Sequence, residues 1–216
     1  MSGFDMRNPE QTPEEYVDQL RVILEHECLG TRKKESCHQL GEFYQAVERD
    51  NEKAKAIFKA NCEDQDYAQS CFSLGIIHLT NKEERKPKEA LSLFHKACEK
   101  NIWGACNNAG LLHQKGEKHF SIPRNMNKAI ELFSMACNGN FRNGCFNLSV
   151  IYLAGCNEVK KDMVKALDLS IKSCRLGHAW GCVNASRIYA QGDGVQVDVT
   201  KANEFKKLAE TCNGKG

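Results

Sequence analysis

Twelve cysteines stand in this chain of 216 residues, and ten of them form five close pairs: Cys28 with Cys37, Cys62 with Cys71, Cys98 with Cys106, Cys137 with Cys145, and Cys174 with Cys182. Thiols this regular can close disulfides, hold a metal as thiolates, or exchange disulfides with another molecule. No two histidines join the cysteines in a zinc spacing, so no metal is expected. No C-x-x-C occurs, which removes the usual redox dithiol. The spacing therefore predicts five disulfides and an oxidising compartment. Cys156 and Cys212 are left over as free thiols. Each is either a reactive group able to bridge to another molecule or a cysteine without a role.

Seven histidines are the other candidates: His26, His38, His78, His95, His113, His119 and His178. His78 and His113 occupy a position that is Tyr44, Tyr152 and Tyr189 elsewhere, which reads as an aromatic packing slot filled by imidazole, with haem ligation as the rival. For catalysis there is no G-x-S-x-G, no H-E-x-x-H and no Walker loop. Enzyme activity is not expected, thiol-disulfide exchange being the one chemistry kept open. The net charge of +2, from 30 basic and 28 acidic residues, supplies no field to draw in nucleic acid. No stretch approaches the ~18 apolar residues of a membrane span, so no membrane insertion is expected.

The elements that position these groups follow from the cysteines. First members of the pairs recur at intervals of 34, 36, 39 and 37, the period of a helix-turn-helix repeat. After each pair comes a segment such as CHQLGEFYQ or CFNLSVIYL with one apolar face, here named helix A. Its fourth position after the cysteine is Gly41, Gly75, Gly110, Ser149 or Ser186, small enough to let a second helix approach. A polar loop follows, then helix B, as in KEALSLFHKAC, where Ala54, Ala90, Ala129 and Ala166 each lie eight residues before a cysteine. Each pair thus joins one helix B to the next helix A, across turns in which Gly104, Gly139 and Gly177 suit a left-handed stop. Tyr67, Trp103, Phe141 and Trp180, just before the second cysteines, either line a binding surface or plug the gap between repeats.

Thr12, Pro13 and Glu15 form a capping box with proline at the first helical position, so residues 12–28 read as a capping helix and 1–11 as a flexible tail. The repeats fall at about 37–62, 71–98, 106–137, 145–174 and 182–212, in one body over 12–216. The N-terminus shows neither a secretory h-region nor an Arg-rich transit pattern.

The strings C-x-x-L-G-x-x-Y, G-D-G-V-x-x-D and K-A-x-x-x-F-x-K-A-C resemble the Sel1-like repeat in its disulfide-bearing variety, over roughly 28–212. That resemblance implies an all-α fold, a right-handed α/α solenoid of five stapled repeats behind the capping helix. Two groups use this form: the secreted Helicobacter cysteine-rich proteins and the animal mitochondrial cytochrome c oxidase assembly factors. The spacing of the cysteine pairs and the acidic first helix are more similar to the second. It implies a binding scaffold in the mitochondrial intermembrane space, trapped there by the Mia40 oxidative relay, with complex IV subunits or copper-delivery factors as partners. Haem is the implied cofactor. In that family's pattern a histidine follows the second cysteine of the third repeat and another comes seven later; here those positions are Asn107 and Gln114, leaving His113 and His119 as the candidate ligands. Two alternatives stand beside the scaffold: a thiol-disulfide oxidoreductase acting on copper-delivery partners, and a secreted ligand binder of the Helicobacter kind.

Overall fold

The computed structural model describes residues 12–81 and 84–213. The expected tail at 1–11 lies outside them. The described residues are helical: α1 (Pro13–Glu25), a π-helical turn (His26–Gly30), α2 (Lys34–Ala46), α3 (Asn51–Asp64), α4 (Ala68–Thr80), α5 (Pro87–Glu99), α6 (Trp103–Lys115), a short 3-10 turn (Lys118–Phe120), α7 (Met126–Asn138), α8 (Arg142–Ala154), α9 (Met163–Arg175), α10 (Ala179–Gln191) and α11 (Val199–Asn213). Even-numbered helices from α2 on are helix A of the repeat, and odd-numbered ones from α3 on are helix B.

Local chemistry starts these helices. Thr12 and Glu15 exchange the two hydrogen bonds of the capping box ahead of α1, with Pro13 at its first turn. Four of the five copies of helix B open by another device: Asp50, Asn125, Asp162 and Asp198 each accept from the backbone N–H of a lysine three residues later, Lys53, Lys128, Lys165 and Lys201, whereas α5 opens on Pro87 without a side-chain cap. Three of those lysines then lie over a tyrosine of helix A, Lys53 on Tyr44 at 5.1 Å, Lys165 on Tyr152 at 5.3 Å and Lys201 on Tyr189 at 5.1 Å.

The turns between repeats differ from the sequence expectation in one respect. Residues with a left-handed backbone are Arg32 (φ 53°), Asp66 (51°), Asn101 (65°), Asn140 (60°) and Gly177 (87°), one per junction. Of the three glycines expected there, only Gly177 takes that conformation. Gly104 lies inside α6, and Gly139 has φ −75°. Asn and Asp tolerate the left-handed region because their short polar side chains bond locally, so they stop most of these helices. Gly139 is small for a different reason: a Cβ there would sit 2.2 Å from the Trp103 indole.

The chain divides into two compact units, one through residue 83 and one from Glu84. In the first, α1, α2, α3 and α4 pack each on the next, around Leu24, Leu40, Phe43, Ala54, Phe58 and Leu74. Gly41 makes the contact between α2 and α3 possible, since a Cβ would fall 2.4 Å from the Phe58 ring. Asn61 on α3 donates to the Lys34 carbonyl at the start of α2. In the second unit, α5 to α11 pack in order, and helices two apart also meet, α6 with α8 and α9 with α11. Gly110 repeats the Gly41 arrangement against Phe133, and Ser173 on α9 reaches the Arg142 carbonyl of α8 as Asn61 does in the first. Three ion pairs join the base of one A-to-B loop to the start of the next: Arg85 with Glu117 at 2.9 Å, Arg124 with Glu158 at 2.6 Å, and Lys161 with Asp193 at 2.9 Å.

Candidate functional site

The cysteines end helix B and begin helix A at each junction. The structure joins Cys28 to Cys37, Cys62 to Cys71, Cys98 to Cys106, Cys137 to Cys145 and Cys174 to Cys182, with Cα atoms 4.5 to 4.8 Å apart. All ten are buried. The residue before each second cysteine is always tiny (Ser36, Ser70, Ala105, Gly144, Gly181), because the other strand of the junction runs against it. A Cβ on Gly144 would lie 2.6 Å from the Ala136 Cβ. That column of small residues, one per repeat, is a signal the sequence carries on its own.

The two remaining thiols, Cys156 and Cys212, are both half-buried. Cys156 sits in the loop after α8, bridged through its backbone to Val159 and packed against the buried cluster of Met126, Ala129, Phe133, Leu148 and Ile151. It adjoins the Arg124–Glu158 pair. The Arg124 guanidinium and a hydrogen bond from Cys156 hold the Glu158 carboxyl down at about 2. Cys212 packs against the cluster of Cys174, Cys182 and Ala209. It also borders a pocket of about 470 Å³ with Arg142, His178 and Trp180 among its walls. Trp180 is 66% exposed there, whereas Tyr67, Trp103 and Phe141 are half-buried. Trp103, over Gly139, plugs its junction, and Trp180 is the turn aromatic free to meet a partner.

Sequence reading missed a serine-histidine-acid constellation. His38 Nδ1 lies 3.1 Å from Ser70 Oγ, and its Nε2 lies 3.5 Å from Glu42. Asn61 also donates to Ser70 Oγ at 2.8 Å. Ser70 has no exposed surface, so its hydroxyl cannot reach a substrate, and the group works as a buried polar link between α2, α3 and α4. Burial holds the His38 pKa below the usual imidazole value against the opposing pull of Glu42.

His113 fills the slot that holds tyrosine in other repeats; burial lowers its pKa, and His95 and then Lys128, the lysine that would cover that tyrosine, lower it further. Its Nε2 lies 3.1 Å from Nε2 of His95 on α5. Its Nδ1 is enclosed without a partner. A buried N–H without an acceptor is the costlier orphan, so the proton belongs on Nε2 of His113, donated to His95. His119 stands exposed on the 3-10 turn. As placed, His113 and His119 do not fit a haem as an axial pair: one nitrogen of His113 is taken by His95 and the other is closed off. Among the described residues no group of three or more His, Cys, Asp or Glu is assembled to hold a metal, and no helix is long and apolar enough to cross a membrane.

Paired helices cross-linked at every junction define a disulfide-stapled helical-repeat protein. Residues 34–60, 68–102, 103–141, 143–178 and 181–209 match the Sel1 repeat. The cytochrome c oxidase assembly factor 7 of Danio rerio is 37% identical over 219 residues, covering 99% of this chain and 95% of that protein. That of Homo sapiens is 33% identical over 215 residues, covering 97% and 93%. The chain belongs to the Sel1 repeat family and, within it, to the cytochrome c oxidase assembly factor 7 family. Among solved structures, a Sel1 repeat protein from Oxalobacter formigenes superposes with a TM-score of 0.73 over 93% of this chain and 84% of that one, at 23% identity. The immunity protein PA5088 from Pseudomonas aeruginosa gives 0.61 over 97% and 78%, at 13% identity. These two share the fold.

Proposed function

We propose that this protein is an assembly factor for cytochrome c oxidase, working in the mitochondrial intermembrane space as a scaffold that holds a client protein. The observation that carries the reading is the match along nearly the whole chain to animal proteins of that name. Five buried disulfides support the compartment, since a reducing cytosol does not sustain such a set. Exposed Trp180 beside Arg142 offers a contact of the kind that dominates protein interfaces. Deleting the gene should lower assembled complex IV on native gels, with rescue by the intact chain. Normal complex IV in the deletion would overturn the reading. Protease protection of mitochondria before and after outer-membrane rupture tests the compartment.

A second reading has one observation in its favour. Cys212 is a half-buried thiol in the lining of the Arg142–Trp180 pocket, packed against the cluster that contains the Cys174–Cys182 disulfide. That is where exchange with a copper-delivery partner's disulfide would begin. A mixed disulfide with such a partner, trapped in intact mitochondria and absent from Cys212→Ser, would favour it. Wild-type trapping levels in that variant would remove it.

A further inference from the structure

The His95–His113 pair joins α5 to α6 through the ring nitrogens themselves. Its Nε2 atoms are 3.1 Å apart while the ring centroids are 5.4 Å apart. The second distance exceeds the first by about the two ring radii together, so the imidazoles face each other end-on, nitrogen to nitrogen along one line. Two imidazole nitrogens aimed at one another along a line become, once the proton between them is displaced, the donor set of a linear, two-coordinate ion. A tetrahedral or octahedral ion would instead need both rings to swing well off that line and would want further ligands. Among the described residues no third His, Cys, Asp or Glu joins the pair as a ligand group.

The geometry points to a site in which His95 Nε2 and His113 Nε2 hold one monovalent d10 cation of the Cu+ or Ag+ class between them. With metal–nitrogen bonds of roughly 2 Å, the nitrogens need to part by only about 0.9 Å, along the line they already share. Both rings are half-buried, and burial is the largest cause lowering both pKa values, so near neutral pH both are in the uncharged form that can ligate. The charged groups around the pair are Lys128 and Glu131 on α7 and Glu99 on α5. Lys128 is paired with Glu131 at 3.0 Å and opposes any cation, a monovalent one least. Binding also moves the His113 proton to its enclosed Nδ1, which weakens the site by roughly tenfold or more relative to a pair whose outer nitrogens are solvated.

The test uses the full chain with its disulfides intact and Cys156 and Cys212 replaced by serine, because free thiols would compete for the ion. Ag+, which needs no reductant, is titrated by calorimetry and followed by imidazole 15N NMR. One ion per chain is expected, with the Nε2 resonances of both His95 and His113 shifting together. His95→Gln and His113→Gln should each lose at least tenfold in affinity, His119→Gln should bind unchanged, and Lys128→Gln should bind a few-fold tighter. Circular dichroism confirms that each variant is folded. No uptake, a shift at only one of the two rings, or equal uptake by His95→Gln would overturn the proposal, and none of these outcomes bears on the role in complex IV assembly.

Discussion

Arg124 grips Glu158 with both arms of its guanidinium, Nη1 to Oε1 at 2.6 Å and Nη2 to Oε2 at 3.4 Å, across a separation of 34 residues. The pair belongs to adjacent loops, and it is the middle one of the three ion pairs that tie successive loops of the second unit.

Acid should therefore loosen that edge. The Glu158 carboxyl is held at about 2, below its unfolded value, so its contribution is complete above roughly pH 4.5 and fades as pH falls toward 2. Glu158→Gln should lower the melting temperature slightly at pH 6 and narrow its difference from the native chain toward pH 2. Because the pair is exposed, molar salt should shrink the effect, as thermal melts at two ionic strengths will show.

Histidines give a second, higher window. His38, His95, His113 and His178 all have pKa values lowered, in each case first by burial. A lowered imidazole means that the unfolded chain takes up its proton more readily, so stability is whole above about pH 6.5 and declines below it. Melting temperature should fall between pH 7 and pH 5. His38→Gln, whose amide can still meet Ser70, should flatten that slope; an unchanged slope would show that His38 is not among the groups responsible.

Gly110 tests the close approach of α6 and α7. A Cβ would lie 2.7 Å from Cε1 of Phe133, a ring with no exposed surface. Although alanine favours the helix by about 1 kcal/mol, overpacking should win, and Gly110→Ala should cost about 1–2 kcal/mol net by urea denaturation. Adding Phe133→Leu should restore part of the loss.

Removing one staple is the fourth measurement. Cys98→Ser with Cys106→Ser opens a loop of about nine residues, worth about 2–3 kcal/mol on the chain-entropy account. Denaturation under oxidising conditions should show that loss, and with reductant present the native and variant chains should converge. Alkylation of the denatured native chain without reductant should label Cys156 and Cys212 alone.

Much of this was legible in the sequence, because the repeat writes each feature several times over. Cysteine spacing marked the junctions, the alanines eight residues before a cysteine marked the buried face of helix B, and Gly41 and Gly110 marked close packing. Turn chemistry is less plain in the sequence: Gly104 and Gly139 stand beside stops that Asn101 and Asn140 make, although asparagine or aspartate at three of the five junctions is a signal of its own. The Asx-x-x-Lys opening of four copies of helix B is equally a sequence signal. Contacts between residues far apart in sequence could not be seen, since periodicity fixes a face and not a neighbour. His113 and His119 are neighbours along the chain, whereas packing gives His113 a partner in His95, 18 residues earlier.

The five staples are all local in sequence. Each closes over a separation of only 8 or 9 residues. Ten cysteines could be matched in hundreds of ways, yet a correct mate is always the nearest along the chain. Oxidation can thus advance one corner at a time while the remainder is still threading or unfolded, each bond forbidding retreat of the segment behind it. A polypeptide built this way acquires its covalent pattern without proofreading between distant parts.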